Sequence, residues 1–272
     1  MSAPDPTDPS GPTRPDLAGL VALSRALGEP ARRLALLAEG NTSQRLPGDR
    51  LAVKATGRSM RHAAREDFVV VDLPVLSALV DDPSAGDAEV ARYFDDVEAE
   101  QGARPSVETL LHVVCVVDAA AAWVAHTHPD SVLGLLCSDR AAALAEQPLF
   151  PDQVVVVGRR PLLVPYLDPG VVLARHVRSA LAAHTAEHGA PQAVYLRNHG
   201  MAALGSTAAQ TLQVTEMADK AARVLLSALA VGAVVPLTAA DALRIDTRAD
   251  EQVRRAALAG HGLGTPTPEE QP

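Results

Sequence analysis

The chain has 272 residues, of which 47% are hydrophobic, so it can bury a sizeable core as one large domain or two small ones. Its formal net charge of −9 argues against a nucleic-acid or anionic-membrane partner, although a local basic pocket could still bind a phosphate. Residues 1–15 are rich in Pro, Asp and Ser without the apolar run of a signal peptide, and no apolar run is long enough to span a bilayer. We therefore expect a cytoplasmic protein with a disordered tail over residues 1–15, one domain over residues 16–259 and a loose tail over residues 260–272.

Two cysteines, Cys115 and Cys137, lie in apolar stretches of the chain. Two cysteines do not make a disulfide framework, so we interpret both as small buried residues in a reducing cytosol.

Apolar spacing, capping residues and turn residues predict the elements of the first half of the chain. Residues 16–26 carry apolar residues at helical spacing, with Asp16 as a plausible N-cap. Residues 32–38 fit either a helix or a strand. The other predictions are turns rich in donors at 39–43 and 56–59, strands at 51–55 and 68–71, a loop at 81–86, an acidic exposed segment at 88–102 and a buried helix at 105–118.

The second half of the chain alternates between short strands and helices, which predicts an α/β layered domain. The predicted strands are 123–128, 153–157, 162–164, 193–196 and 201–204. The predicted helices are 130–137, 138–145, 171–188, 207–231 and 241–258. The histidines of the predicted helix 171–188 are expected on the surface: His176, His184 and His188.

Two histidines at the end of the strand at 123–128 form a candidate metal site. His126 and His128 stand at i and i+2, so on an extended strand both side chains leave the same face and can converge on one ion. Packing or chance explains such a pair equally well unless there is a third ligand. His199, which lies between two predicted strands and precedes a glycine, is the candidate third ligand.

Glu108 is the candidate acid–base group. It shares one face of an otherwise apolar helix with His112 at i+4. Burial of this helix partly desolvates the carboxylate and raises its pKa unless a metal or hydrogen-bond donors oppose the shift. A first-turn Glu favoured by the helix dipole is the alternative. Ser106 is well placed as the N-cap, which favours a structural role for it.

The turns at 39–43 and 56–59 gather hydrogen-bond donors. They supply backbone N–H groups and hydroxyls, together with the side chains of Asn41, Lys54 and Arg58. Donors that point into one concavity cradle an anion, although two ordinary hairpin loops would look the same in sequence. Tyr166 lies where a strand exits into a loop, which fits either a site residue or a packing residue.

These residues together could carry metal-assisted chemistry on a small molecule. Three neutral imidazoles would hold zinc with one position open and leave the ion close to its full charge, and they also suit iron, nickel or copper. That charge favours polarisation of a carbonyl and stabilisation of an enediolate, while Glu108 transfers a proton. The turns with Asn41 and with Thr56 and Gly57 would hold a phosphate or carboxylate at the far end of the substrate. Tyr166 could exchange a proton with the departing carbonyl oxygen.

The same residues stand in motifs that resemble the class II aldolase/adducin-head superfamily. The motifs extend over about residues 16–235, and the likeness is greatest to the aldolase domain of bifunctional rhamnulose-phosphate aldolase/dehydrogenases. The matching motifs are Gly40-Asn41-Thr42-Ser43, Lys54-Ala55-Thr56-Gly57, Pro105-Ser106-Val107-Glu108 with His112, His126-Thr127-His128-Pro129, Val164-Pro165-Tyr166 with Gly170, and Asn198-His199-Gly200.

This resemblance implies a three-layer α/β/α sandwich around a mainly antiparallel central sheet. It also implies a cyclic homotetramer with active sites between subunits. In the fuculose-phosphate aldolase branch, the positions of His126, His128 and His199 hold zinc, and that of Glu108 is the acid–base group that also touches the resting metal. Tyr166 matches a catalytic tyrosine contributed across the subunit interface.

The resemblance also implies an anion subsite. Asn41, Thr56, Gly57 and Ser106 match phosphate-binding positions of the aldolase branch, and Ser43 is a further candidate in the same turn as Asn41. The branch has a second serine where this chain has Val107, so one phosphate donor is missing here.

The sequence therefore predicts a zinc-dependent class II aldolase-type lyase acting on a sugar or sugar phosphate. Its reaction would be reversible cleavage of a ketose, with the 1-phosphate as the favoured form, through a metal-stabilised enediolate. Glu108 argues against the related ribulose-phosphate 4-epimerases, which carry Asp there. The alternatives are a metal-dependent decarboxylase or dehydratase of a small hydroxy acid or sugar derivative, and a non-catalytic adducin-like module, which the three intact histidines disfavour.

Overall fold

The computed structural model describes residues 15–260 of the chain. The predicted tails over residues 1–15 and 260–272 lie outside this range except for their innermost residues. Within it, none of the helices combines the length and the hydropathy that a membrane span needs.

A single seven-stranded sheet forms the middle of the fold. Its strands are β1 Asn41–Leu46, β2 Arg50–Lys54, β3 Phe68–Asp72, β4 Trp123–Thr127, β5 Leu162–Val164, β6 Ala193–Leu196 and β7 Gly200–Gly205. They lie side by side in the order β3-β2-β1-β4-β7-β6-β5, and every neighbouring pair is antiparallel except the parallel pair of β5 and β6. The sheet is therefore mainly antiparallel, as predicted.

Helices cover both faces of this sheet and confirm the predicted α/β/α layering. They are α1 Ala18–Leu27, α2 Leu73–Asp81, α3 Asp87–Gln101, α4 Thr109–Asp118, α5 Asp130–Leu136, α6 Ala143–Glu146, α7 Pro151–Val157, α8 Val171–His188, α9 Ala208–Val231, α10 Ala239–Thr247 and α11 Ala249–Gly260. One face packs against α2, α3, α4 and α8, and the other packs against α1, α5 and α9.

The alternation of side chains along β7 shows how the two layers share the sheet. Ala202 and Leu204 belong to the core under α4 and α8, whereas Met201 and Ala203 belong to the core under α9. Because successive side chains of a strand point to opposite faces, a strand covered on both faces carries apolar residues throughout. The abundance of alanine and valine lets the helices pack close to such strands.

The segment 153–157 is wrongly predicted as a strand, because it forms the body of α7. Pro151 stands in the first turn of this helix, where its missing N–H costs nothing. Val154 and Val155 are buried against Ala242 and Ile245 of α10. A short run of valines fits a buried helix as well as a strand, so the apolar pattern alone could not separate them.

The acidic segment at 88–102 is likewise more than an exposed stretch. It forms α3, whose Val90, Phe94 and Val97 lie in the main core at i, i+4 and i+7. The Glu89 carboxylate accepts a hydrogen bond from the N–H of Gly86 and so begins the helix. The charged residues face solvent as expected, but the helix is anchored by its apolar side.

Residues 41–43 are also misassigned in the sequence analysis, because they begin β1 instead of forming a turn. Asn41 pairs with His126 of β4, and Ser43 pairs with Val53 of β2 as well as Val124 of β4. Small polar residues favour turns, but here two neighbouring strands take up the backbone hydrogen bonds.

Four smaller predictions also need correction. Residues 32–38 form neither helix nor strand, since a 3₁₀ turn at Pro30–Arg32 is followed by irregular backbone. Only Ala143–Glu146 of the predicted helix 138–145 is α-helical, and the predicted helix 241–258 is divided at Arg248, which has extended backbone. Cys115 is buried as expected, but Cys137 is exposed.

Anchoring of α3 through its apolar side can be tested at Phe94. Phe94→Ala should lower the free energy of unfolding by about 3 kcal/mol, because it empties a buried site. Asp96→Ala, on the solvent side of the same helix, should change it by less than about 0.5 kcal/mol. Urea unfolding measures both, and equal effects of the two variants would contradict the packing described.

Candidate metal centre

Three segments of the chain bring four candidate ligand side chains together at one end of the central strands. His126 and His128 lie at the end of β4, the central strand, and His199 lies in the turn that joins β6 to β7. Since β7 is the antiparallel neighbour of β4, that turn falls next to the end of β4. Glu108 stands immediately before α4, which packs on the same face of the sheet as the two β4 histidines.

The side chains of Glu108, His126, His128 and His199 approach one another, each through one nitrogen or oxygen atom. Glu108 Oε1 lies 2.7 Å from Nε2 of His199 and 3.1 Å from Nε2 of His126. Nε2 of His128 lies 2.9 Å from Nε2 of His126. The four ligand atoms all fall within 4.8 Å of one another, so they could hold one metal ion. Residues that are far apart in sequence are thus gathered into one cluster, which we call the Glu/His₃ cluster: Glu108, His126, His128 and His199.

Hydrogen bonds on the far side of two rings assign their protons. The Met201 carbonyl oxygen lies 3.1 Å from Nδ1 of His126, and a Glu39 carboxylate oxygen lies 3.2 Å from Nδ1 of His128. Both oxygens can only accept a hydrogen bond. Both rings therefore carry a proton on Nδ1 and, when neutral, present a lone pair on Nε2. The two Nε2 lone pairs repel each other and also repel the Glu108 carboxylate unless a proton or a cation lies between them. The donor set thus fits a divalent transition metal.

Electrostatics keeps the Glu108 carboxylate ionised. Burial raises its pKa, but the rings of His126 and His199 lower it more strongly, so the pKa lies well below its usual range. The same contact raises the pKa of His126 despite the opposing effect of burial. Burial and the neighbouring His126 lower the pKa of His128 to about 4. The upward shift expected for a buried carboxylate is thus overcome by its imidazole neighbours.

Glu39 is a site residue that the sequence analysis missed. Its carboxylate orients the ring of His128, in the way that carboxylates commonly orient metal-binding histidines. The available signal was its position directly before the Gly40-Asn41 motif.

The predicted donor turns differ in what they offer to a ligand. Thr56 and Gly57 are exposed, and the bond from Thr56 N–H to the Arg104 carbonyl holds this turn beside Ser106. Lys54 is buried, and its ammonium donates to the carbonyl oxygens of Ala55 and Arg58 at 3.3 and 2.6 Å. Arg58 itself pairs with Asp67.

Asn41, Ser43 and Ser106 are all buried on the same face of the sheet as His126. Asn41 Nδ2 donates to Glu108 Oε2 at 2.7 Å and to Ser106 Oγ at 3.0 Å. Ser43 Oγ lies 2.7 Å from Nδ1 of His112. The polar atoms of Asn41 and Ser43 are thus already engaged by neighbours in the fold.

Tyr166 stands apart from the cluster within one chain. It follows β5, the edge strand, which is separated from β4 by β6 and β7, so about 14 Å of sheet lies between them. Its hydroxyl donates to the Asp168 carboxylate at 2.8 Å, and the side chain is 53% exposed. His184 and His188 are partly or fully exposed on α8, which agrees with the surface position predicted for them.

Comparison with known proteins places this fold and cluster in context. Residues 18–226 match the model of the Class II Aldolase and Adducin N-terminal domain. Among solved structures, YgbL from Escherichia coli has a TM-score of 0.62 at 20% identity, over 85% of this chain and 100% of that one. L-fuculose-1-phosphate aldolase from Thermus thermophilus has a TM-score of 0.57 at 19% identity, over 81% and 100%. At these low sequence identities, the similarity to the two structures shows a shared fold and nothing more.

One curated relative also aligns with the chain. It is the uncharacterized oxidoreductase YuxG of Bacillus subtilis, which is 27% identical over 164 residues, or 60% of this chain. The aligned part is only 22% of YuxG, so the chain spans about a fifth of that relative.

Close packing behind the cluster predicts a large effect at Gly200. A Cβ on Gly200 would lie 2.5 Å from Cδ2 of His128 and 2.7 Å from the carbonyl oxygen of Thr127, so Gly200→Ala must displace the His128 ring. We expect its Zn²⁺ affinity, measured by calorimetry, to fall about 10-fold or more. Gly134→Ala, whose added Cβ meets no atom within 4 Å, is the control and should bind as wild type does. Unchanged affinity in Gly200→Ala would contradict the geometry.

The buried ammonium of Lys54 predicts a pH dependence of stability. Burial lowers its pKa from 10.5 to about 8, against the raising effects of Asp67 and Glu108. Between these values the unfolded chain binds more protons than the native state, so stability rises with pH. Relative to Lys54→Met, the wild-type free energy of unfolding should increase by up to about 3 kcal/mol from pH 8 to pH 10.5. Parallel pH profiles of the two proteins in urea unfolding would refute this.

Proposed function

Because the chain belongs to the Class II Aldolase and Adducin N-terminal domain family, we propose that it is a metal-dependent lyase that reversibly cleaves a ketose. The favoured substrate is the ketose 1-phosphate, and the products are dihydroxyacetone phosphate and an aldehyde. The observation that carries this proposal is the convergence of three imidazole nitrogens on one ionised carboxylate.

His126, His128 and His199 would hold the metal ion. Zn²⁺ suits three nitrogen ligands, although other divalent transition metals do as well. When bound, the ion would supply Lewis-acid stabilisation of the negative charge that develops on the substrate oxygens.

The chain's own carboxylate and tyrosine would move the protons. In the cleavage direction, the hydroxyl on the carbon that becomes the aldehyde loses its proton as the carbon–carbon bond breaks. The electron pair of that bond stays on the ketone fragment as an enediolate. Glu108, after its carboxylate has taken up a proton from solvent, would give that proton to the enediolate at carbon. Tyr166 of a second copy of the chain would take the hydroxyl proton while its own phenolic proton passes to Asp168, to which it already donates at 2.8 Å. Its exposed ring is free to reach a neighbouring subunit.

An anion subsite would lie beside Glu108. Thr56 and Gly57 are exposed there, next to Ser106, and backbone N–H groups in such turns bind phosphate or carboxylate. We further propose that the protein acts in the cytoplasm as a homotetramer with its sites between subunits, as related aldolases are expected to do. Asn41 and Ser43 remain candidate ligands of the substrate, but their polar atoms are engaged in the fold.

One observation favours a second reaction on the same site. Val107, between Ser106 and Glu108, is 60% exposed and apolar, and it stands where the aldolase branch has a second serine, so one phosphate donor is missing there. A decarboxylase or dehydratase acting on a small unphosphorylated hydroxy acid needs fewer donors at this position and could use the same metal and carboxylate.

A substrate panel separates the two reactions. The zinc-loaded protein is incubated with ketose phosphates, and dihydroxyacetone phosphate is detected with a coupled dehydrogenase. We expect turnover of at least one member, and we expect Glu108→Gln to lower kcat by about 10²-fold or more because the proton-transfer group is lost. Glu100→Gln, an exposed carboxylate on α3, is the control and should retain wild-type kcat.

The alternatives give distinct results in the same assay. Carbon dioxide release or loss of water from a hydroxy acid, with no aldehyde formed from any ketose phosphate, would overturn the aldolase proposal in favour of the second reaction. A folded protein that binds no metal would support a non-catalytic module.

A further inference from the structure

A line of buried polar side chains leads from Glu108 away from the metal ligands into the core. Glu108 Oε2 accepts from Asn41 Nδ2 at 2.7 Å, and Asn41 Oδ1 contacts Nε2 of His112. Nδ1 of His112 in turn lies 2.7 Å from Ser43 Oγ. Asn41, His112 and Ser43 are at most 2% exposed, so hydrogen bonds to bulk water do not compete with these contacts.

The direction of each hydrogen bond follows from the groups involved. Both N–H groups of Asn41 are used, one toward Glu108 and one toward Ser106, so its Oδ1 must face His112 as an acceptor. His112 therefore carries its proton on Nε2. A neutral ring then has a lone pair on Nδ1, which must accept from the Ser43 hydroxyl.

The surroundings of His112 keep its ring neutral. Burial lowers its pKa to about 3, with a further lowering by the nearby His126, while Glu108 acts in the opposite sense. With one proton on the ring, the order Ser43 to His112 to Asn41 to Glu108 is the only one in which every member is satisfied.

We propose that Ser43 and His112 are positioning residues that fix the amide of Asn41 with its NH₂ group toward Glu108. An amide can flip by half a turn, which would set Asn41 Oδ1 against Glu108 Oε2 and drive the two oxygens apart. The Glu108 carboxylate opposes this flip because it can only accept a hydrogen bond. His112 and Ser43 add to the opposition, because after a flip the ring proton would have to move from Nε2 to Nδ1 and the Ser43 hydroxyl would have to turn from donor to acceptor. The carboxylate is thereby held with Oε1 toward His126 and His199.

This role differs from the one the sequence suggested for Ser43. As part of a donor-rich turn it was expected to bind the substrate. In the fold its side chain shares the face of β1 with Asn41 and points at α4, and its hydroxyl proton is committed to His112. The inference rests on the proposed function only where Glu108 acts on a substrate, whereas the hydrogen-bond chain can be tested without one.

The proton assignment is testable by magnetic resonance. The zinc-loaded full chain is labelled with ¹⁵N-histidine, and the ring signals of His112 are assigned by their loss in His112→Gln. Between pH 6 and pH 8 we expect a neutral ring with its proton on Nε2. Ser43→Ala should shift the Nδ1 signal, because that lone pair loses its donor. Ser24→Ala is the matched control, since Ser24 is an equally buried serine whose hydroxyl bonds to Thr42 on the opposite face of β1.

A proton on Nδ1, a doubly protonated ring at pH 7, or equal responses to Ser43→Ala and Ser24→Ala would each overturn the proposal. Because this measurement uses Zn²⁺ alone as the probe, it decides the matter even if no substrate is found. If no substrate is found, the proposed function fails, but the magnetic-resonance result still decides whether the hydrogen-bond chain exists.

Kinetics with a substrate found in the panel tests the consequence for Glu108. Ser43→Ala and His112→Leu should lower kcat about 10-fold or more, while KM stays within about 2-fold and the zinc content is unchanged. His112→Gln can still donate to Asn41 Oδ1 and should recover most of kcat. A rise in KM at constant kcat would instead show that Ser43 binds the substrate, and it would contradict the positioning role.

Discussion

The mutual repulsion of two imidazole lone pairs, on His126 and His128, and the Glu108 carboxylate is the constraint on which this site depends. Such groups approach within hydrogen-bond distance only when a cation or a proton sits between them. In this protein the far sides of two rings are already occupied, by the Met201 carbonyl and the Glu39 carboxylate. Nε2 of His126 and Nε2 of His128 therefore present lone pairs to each other and to Glu108, which favours a positive ligand at this point.

The sheet provides the rigidity that this arrangement needs. His126 belongs to the central strand, and its direct partners are Asn41 on one side and Ala202 on the other. Small residues such as Gly200 let the β6–β7 turn approach the end of β4 closely. Asn41 therefore has two roles, since its backbone pairs with His126 while its amide holds Glu108. One strand register thus fixes both a candidate metal ligand and the carboxylate beside it.

Much of the fold and the metal cluster could be predicted because the signals are local. His126 and His128 share a strand face by spacing alone. His199 and Glu108 are candidates from their places beside predicted strands and on a buried helix, and the family motifs support both. Other features depend on distant partners that no local pattern reveals. The valines at 153–157 fit helix or strand until α10 is known to cover them. Ser43 looks like a ligand donor until His112, 69 residues away, is found at its hydroxyl.

An anomalous-scattering map from crystals of the zinc-loaded protein would locate the metal ion directly. We expect one strong peak at the zinc edge, about 2.0–2.1 Å from Nε2 of His126, His128 and His199, with Glu108 beside it. A peak elsewhere in the molecule, or a peak at this place with the His199 ring turned away, would contradict this expectation.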